Sequence, residues 1–250
     1  MEKIILEKLS EIEQKEQVTI LHCVESGSRA WGFASPDSDY DVRFIYVRSI
    51  KDYLRLEKTR DVIEWQLDET LDINGWDLQK ALRLLYKSNP TLFEWSNSPI
   101  IYHTTSYWQK LGQQIEQYFL DKAGIYHYLS TAYSNYKDHL NGETVKLKKY
   151  FYVLRPILAC HWIFQQHCSP PMLFEDLMRT QLDPDLRPVV ENLVEKKRLT
   201  PELGKGPRID VLNQYIEKNL IQLKQQADAM QETKRNDWST LNQLFWDALQ

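Results

Sequence analysis

The sequence predicts an α+β fold, with a small mixed-sheet unit over residues 1–100 followed by an all-α helical unit over 101–250. Three observations predict it. Four short segments, "VTILHCVES", "YDVRFIYV", "DVIEWQL" and "TLDINGW", are rich in β-branched and aromatic residues, and all end by Trp76. Beyond Trp76 the apolar residues recur almost only at helical spacing. The chain is also long enough to bury a sizeable core, with 250 residues and 42% hydrophobic content.

The elements follow in order. Residues 1–15 read as an amphipathic helix, with Ile4, Ile5, Leu9 and Ile12 on one face. The strand "VTILHCVES" (18–26) runs into Gly27, and Ser28 is placed to cap a short helix reaching Phe33. "ASPDSD" is a loop, and "YDVRFIYV" (40–47) is a strand by alternation. Strands at 61–67 and 70–76 are joined by a short acidic turn at Asp68-Glu69. "DLQKALRLLYKS" is a helix with Asp77 as its N-cap and Asn89-Pro90 as its stop. Helical periods then occupy segments near 104–120, 122–140, 143–166, 185–197 and 209–248, broken at "SPPM" and "LGKGP". Pro156 removes one backbone bond inside the fourth of these stretches to follow Trp76 and is expected to kink it.

Composition narrows the function. A net charge of −4 offers no global basic field to nucleic acid, though it leaves room for a local one. Cys23, Cys160 and Cys168 sit among apolar residues with no common zinc spacing, so they read as reduced thiols. The N-terminal segment has no basic region leading into an apolar core, and no window approaches the ~18 uncharged apolar residues of a membrane span. A cytoplasmic protein with no membrane partner is expected. Eight tryptophans and fourteen tyrosines suit large aromatic cores, and Trp31 is read as packing.

The chemistry concentrates in "GSRAWGFASPDSDYDVRF" (27–44). Asp39 and Asp41 are two apart, so on a strand they share a face, roughly 7 Å apart at about 3.3 Å per residue. Tyr40, Val42 and Phe44 take the alternate positions, and Arg43 falls on the acidic face, where it can neutralise Asp39 or Asp41. Two close like charges are a liability for stability that a divalent cation would remove. Ahead of them, a strand ending in Glu25-Ser26 leads through Gly27-Ser28 into a helical turn, which offers backbone N–H groups and a hydroxyl to an anion. Triphosphate and metal would then meet. A third carboxylate is expected on a neighbouring strand. Asp72, alternating with Leu71 and Ile73, is the choice, though the "LDINGWDL" context also contains Asp77; Glu64, Asp68 and Asp61 are weaker candidates. Arg29 follows the turn, able to reach a phosphate or to pair with Asp41.

"GSRAWGFASPDSDYDVRFIYVR", "LDINGWDLQKALRLLYKSNPTLFEWSNSPIIY" and "VKLKKYFYVLRPILACHWI" together resemble the DNA polymerase β-type nucleotidyltransferase superfamily, in its RNA-repair-associated bacterial branch. The resemblance covers most of residues 18–175. It implies that Gly27 and Ser28, with Arg29 beside them, hold a triphosphate. It implies that Asp39, Asp41 and Asp72 bind two Mg²⁺ ions, or Mn²⁺ in their place, with Asp72 also accepting a proton. It implies an NTP substrate and an RNA end, protein side chain or small molecule as acceptor. In that superfamily a helical domain supplies basic contacts to the triphosphate, a role that falls on Lys148 and Arg155, seven apart on one helix; the alternative is a solvated basic stripe. The expected activity is transfer of a nucleoside monophosphate to a hydroxyl with release of pyrophosphate. A nucleotide-binding or antitoxin-like module without turnover is the rival, and a nucleotide hydrolase a second one.

Overall fold

The computed structural model describes residues 1–66, 70–200, 203–231 and 237–250. The expected acidic turn at Asp68-Glu69 therefore lies outside the described residues. The chain divides into two compact units, and the division does not fall near residue 100. One unit is Met1–Ala30, Asp39–Tyr118 and the described part of Arg235–Gln250; the other is Trp31–Ser38 with the described part of Phe119–Lys234.

The first unit opens with α1 (Glu2–Glu16), β1 (Thr19–Glu25), α2 (Gly27–Ala30), β2 (Tyr40–Val47), α3 (Ile50–Tyr53), β3 (Val62–Gln66) and β4 (Leu71–Asp77). It continues with α4 (Leu78–Tyr86), α5 (Pro90–Ser96), β5 (Ile101–Thr104) and α6 (Ser106–Ile115). Its five strands lie in the order β3-β4-β2-β1-β5, with β2 and β4 parallel and the other neighbours antiparallel. Alternation explains β2: Val42, Phe44 and Tyr46 are buried in one cluster with Ile63 of β3, Ile73 of β4 and Ile5, Leu9 and Ile12 of α1. Ile4, expected on that helix face, is instead exposed. Asp77 caps α4 as expected, accepting a hydrogen bond from the Gln79 N–H at 2.8 Å. Asn89 closes α4 and also caps α5, accepting from the Thr91 N–H. β5 was not expected, because its residues are mostly exposed and carry no buried alternation. Pairing with the edge of β1 makes it a strand.

The second unit holds α7 (Asp121–His139), β6 (Thr144–Lys146), α8 (Lys149–Gln166), α9 (Phe174–Gln181), α10 (Arg187–Leu199), β7 (Lys205–Pro207) and α11 (Asp210–Ala229). It is mostly helical rather than all-α, since β6 and β7 form a two-stranded antiparallel ribbon. α8 is its axis: eleven of its residues, from Tyr150 to Ile163, are buried, and the helix runs on through Pro156. Lys148, expected on one helix with Arg155, sits just before α8 as its N-cap residue, while Arg155 lies within the helix. The chain ends with α12 (Ser239–Asp247), back in the first unit.

Candidate active site

Parallel pairing of β2 with β4 sets Asp41 opposite Asp72 in register. Equal positions on neighbouring parallel strands share a face, so two carboxylates of distant sequence stand side by side. Arg43 lies between them. Its Nη2 donates to Asp41 Oδ1 at 2.9 Å and to Asp72 Oδ2 at 2.7 Å. Its Nη1 donates at 3.0 Å to the backbone carbonyls of Val42 and Asp72. Burial pushes the Asp41 carboxyl above its ordinary range; Arg43 and Arg29 oppose this, while the like charges of Asp72 and Asp39 add to it. Asp39 is exposed and sits one residue ahead of β2, so the site gathers Asp41, Asp72 and Arg43 on one face, with Asp39 at the rim.

The turn before them is built around Asp41. The Ser26 N–H donates to the Asp41 carbonyl at 2.8 Å. Gly27 has φ +58, and a Cβ added there would lie 2.0 Å from Asp41 Oδ2. Only glycine satisfies both the left-handed backbone and that approach. α2 is shorter than expected, stopping at Ala30, and Ser28 lies inside it rather than at its cap. Arg29 donates through Nε to the Asp39 carbonyl at 3.1 Å, with its guanidinium 3.7 Å above the Tyr40 ring. It is near enough to Asp41 to lower that carboxyl's pKa.

One residue at this site was not singled out from the sequence. Glu25 ends β1 fully buried. Its carboxylate accepts the Asp41 N–H at 2.7 Å and the Tyr102 hydroxyl. Burial raises its pKa, partly countered by those two hydrogen bonds. The available signal was a lone carboxylate closing an apolar strand directly before the Ser-Gly turn.

The other candidates have their own surroundings. Asp77 is five residues along β4 from Asp72, pairs with Tyr46 and accepts from the Tyr53 hydroxyl, so it is a cap and not a member of this site. Asp61 bonds Lys80, and Glu64 is exposed on β3; Asp68 lies outside the described residues. Lys148 and Arg155 belong to the second unit. Arg155 is 2% exposed, with its guanidinium 4.6 Å from the Trp31 ring and 3.5 Å from the Met172 carbonyl, a packing environment. Trp31 packs there too, against Phe33 and Tyr152. Cys23 and Cys160 are buried free thiols, and Cys168 is half-buried.

The donors fit a hard divalent cation. All are oxygens, and the Arg43 guanidinium shows that positive charge is accommodated between Asp41 and Asp72. Among the described residues, no three aspartate, glutamate, histidine or cysteine side chains converge enough to hold a metal ion unaided. Substrate oxygens would have to complete such a shell.

A family model described as "RNA repair pathway DNA polymerase beta family" matches residues 1–247. The chain is 46% identical over 254 residues to the Bacillus subtilis (strain 168) protein called "Uncharacterized protein YcgL", covering 100% of this chain and 97% of that one. A crystal structure of a nucleotidyltransferase-like protein from Exiguobacterium sibiricum 255-15 aligns over 92% of this chain and 75% of that one, at 16% identity and a TM-score of 0.33, too low to carry an argument.

Proposed function

Because the chain belongs to the RNA repair pathway DNA polymerase β family of nucleotidyltransferases, we propose that it moves a nucleoside monophosphate from an NTP to an acceptor hydroxyl, with an RNA end as the acceptor. The observation that carries this reading is the in-register pair Asp41 and Asp72 with the Gly27 turn closed onto Asp41. Asp39, Asp41 and Asp72 would hold Mg²⁺ or Mn²⁺, which supplies charge stabilisation at the α-phosphate and lowers the pKa of a bound hydroxyl.

The chain's own groups do the rest. The backbone of Gly27 and Ser28 and the Ser28 hydroxyl receive the triphosphate, and Arg29, anchored on the Asp39 carbonyl, adds positive charge beside it. Glu25 fixes the backbone of Asp41, so its carboxylate is aimed before substrate arrives. Asp72, whose side chain is 51% exposed, is open enough to take the proton of the acceptor hydroxyl. The acceptor oxygen bonds to the α-phosphorus, the α–β anhydride bond breaks, and pyrophosphate leaves with that electron pair. Contacts from Lys148 and Arg155 to the triphosphate rest on the family resemblance. A cytoplasmic location is part of the same reading; no described helix is long and apolar enough to cross a membrane.

Nucleotide binding without turnover is the second reading, favoured by Arg43 already neutralising Asp41 and Asp72. α-Labelled NTPs incubated with Mg²⁺ and total cell RNA and protein separate the two. Transfer of label by the wild type and its loss in Asp41→Asn supports the proposal. A rise in melting temperature with NTP but no label in any acceptor supports the second reading. Wild-type transfer by Asp41→Asn removes the proposed site.

A further inference from the structure

We infer that the ribbon of β6 and β7 is a contact surface for the phosphate backbone of single-stranded RNA, made by Lys146 and Lys205 on its outward face. The inference rests on the nucleotidyltransferase reading above and names the surface that takes the acceptor strand. The register of the ribbon sets Lys146 directly opposite Lys205. Directly opposed residues of an antiparallel pair share a face, with Cβ atoms about 5 Å apart, and like charges there destabilise the pairing. The neighbouring pair shows which face this is. Val145 is buried in the helical core, and a Cβ on its partner Gly206 would meet the Leu147 side chain at 3.0 Å, so that pair points inward. Lys146 and Lys205 point outward, and both are exposed. Neither has an ion-pair partner among the described residues. Each strand is only three residues long, so the ribbon gains little from its own ladder and has no structural use for a repulsive pair.

The positive charge continues into α8. Lys148 is the residue before that helix and Lys149 its first, with no acidic residue in the first turn. Cations at a helix N-terminus oppose its macrodipole, so this placement is unfavourable too. Burial lowers the Lys149 pKa, and the charges of Lys146 and Lys148 lower it further, against Asp138. The acids of this region offset only part of the charge. Asp138 faces Lys149, Asp210 is taken by Arg208 at 2.8 Å, and Glu143 lies at the far end of the ribbon, where its carbonyl accepts the Arg208 N–H. A chain of net charge −4 thus gathers four lysines at one place and lets two of them face each other. An anion laid on the ribbon turns that repulsion into attraction. The lysines do not converge as they would on one phosphate: Lys149 is held on Asn135 at 3.1 Å and over the Tyr152 ring, while Lys146 and Lys205 stand out from the ribbon. Charges spread along a surface suit a strand of phosphates. The outward face adds only Thr144 and Pro207, with no aromatic or large aliphatic anchor of the kind that protein interfaces use.

The test measures binding of fluorescein-labelled single-stranded RNA of mixed sequence to the full-length protein by anisotropy, across a series of salt concentrations. The double variant Lys146→Gln/Lys205→Gln should bind about tenfold or more weakly at low salt, and its slope of log affinity against log salt should be shallower by about 1.4, two phosphate contacts' worth. Its melting temperature should equal or exceed that of the wild type, since a repulsive pair has been removed. Its rise in melting temperature with NTP should be unchanged, and in label transfer its KM for RNA should rise while kcat is kept. A control, Lys3→Gln/Lys110→Gln, removes the same charge from exposed positions of the first unit and should bind RNA as the wild type does. Wild-type RNA affinity and slope in the ribbon variant, with label transfer intact, overturn the inference and leave the nucleotidyltransferase reading standing. An equal loss in the control also overturns it, because net charge alone then sets the affinity. Loss of the NTP response with RNA binding unchanged overturns it in favour of a triphosphate contact. No RNA binding by the wild type, with label passing only to protein or small molecules, overturns both the inference and the RNA end as acceptor.

Discussion

Replacing Gly27 by alanine would put a methyl carbon 2.0 Å from Asp41 Oδ2 on a backbone with φ +58. Left-handed strain and overpacking together should cost about 2 kcal/mol or more in urea unfolding. The larger effect should be functional. The cheapest relief is to move the Asp41 carboxylate away from Arg43, so nucleotide transfer should fall by far more than the stability loss explains. A Gly27→Ala variant with wild-type transfer would show that Asp41 is not the group the turn is shaped around. His22 tests the electrostatics of the same strand. It is buried, stacked on Trp108 at 4.5 Å and bonded to the Thr104 hydroxyl, and burial lowers its pKa from 6.5 to about 4. Between those two pH values the unfolded chain binds a proton at His22 that the folded chain refuses, so its contribution is full above pH 6.5 and is lost as pH falls toward 4. The buried carboxyls Glu25 and Asp77 and the half-buried Asp41 have raised pKa values and act in the opposite direction, since the folded chain takes up their protons first. The comparison is therefore wild type against His22→Phe, which keeps the stack and removes the titration. From pH 7 to pH 4 the wild type should lose on the order of 3 kcal/mol more than the variant.

At the scale of the element, β4 carries the site and must lie close against β2. Gly75 pairs with Phe44, and a Cβ there would meet the Phe44 ring at 2.2 Å. Phe44 is fully buried, so the ring has nowhere to go. Gly75→Ala should cost about 1–3 kcal/mol in denaturant unfolding and, by prying β4 from β2, weaken the Asp41–Arg43–Asp72 bridge. The glycine of "LDINGWD" thus has a packing cause that the sequence conceals, because Phe44 is 31 residues away in chain and adjacent only in the sheet. The same holds for Asp72. Alternation with Leu71 and Ile73 put it on the polar face of its strand, which β4 bears out. Whether that face met Asp41 depended on parallel pairing and on its register, neither of which a single strand encodes.

At the scale of the chain, residues 237–250 pack onto the first unit, far in sequence from its other elements. Trp238 stacks on Tyr86 at 3.7 Å, Phe245 sets its edge on Tyr53 at 5.0 Å, and the Leu244 carbonyl accepts the Tyr107 hydroxyl at 2.7 Å, all within the first unit. Deleting residues 237–250 should lower the stability of that unit by about 2 kcal/mol or more, read as a shifted tryptophan-fluorescence unfolding midpoint. An unchanged midpoint would mean that these contacts add nothing. The helical reading of 209–248 could not foresee this return, since both α11 and α12 satisfy a helical period and only the partners tell them apart.

The sequence by itself determined the kinds of element and the donor chemistry: alternating strands before Trp76, helical periods after it, a Gly-Ser turn a dozen residues ahead of two aspartates. Those are local facts, written in spacing and side-chain type. Only the tertiary structure decided that Asp72 and not Asp77 stands beside Asp41, that Arg43 bridges them, and that Glu25 holds Asp41 from below its backbone. It also decided that Trp31–Ser38 and the C-terminal helix each join a unit other than their chain neighbours'. Strand register and long-range burial set these relations, and both arise from packing between segments that the spacing of residues along one segment does not record.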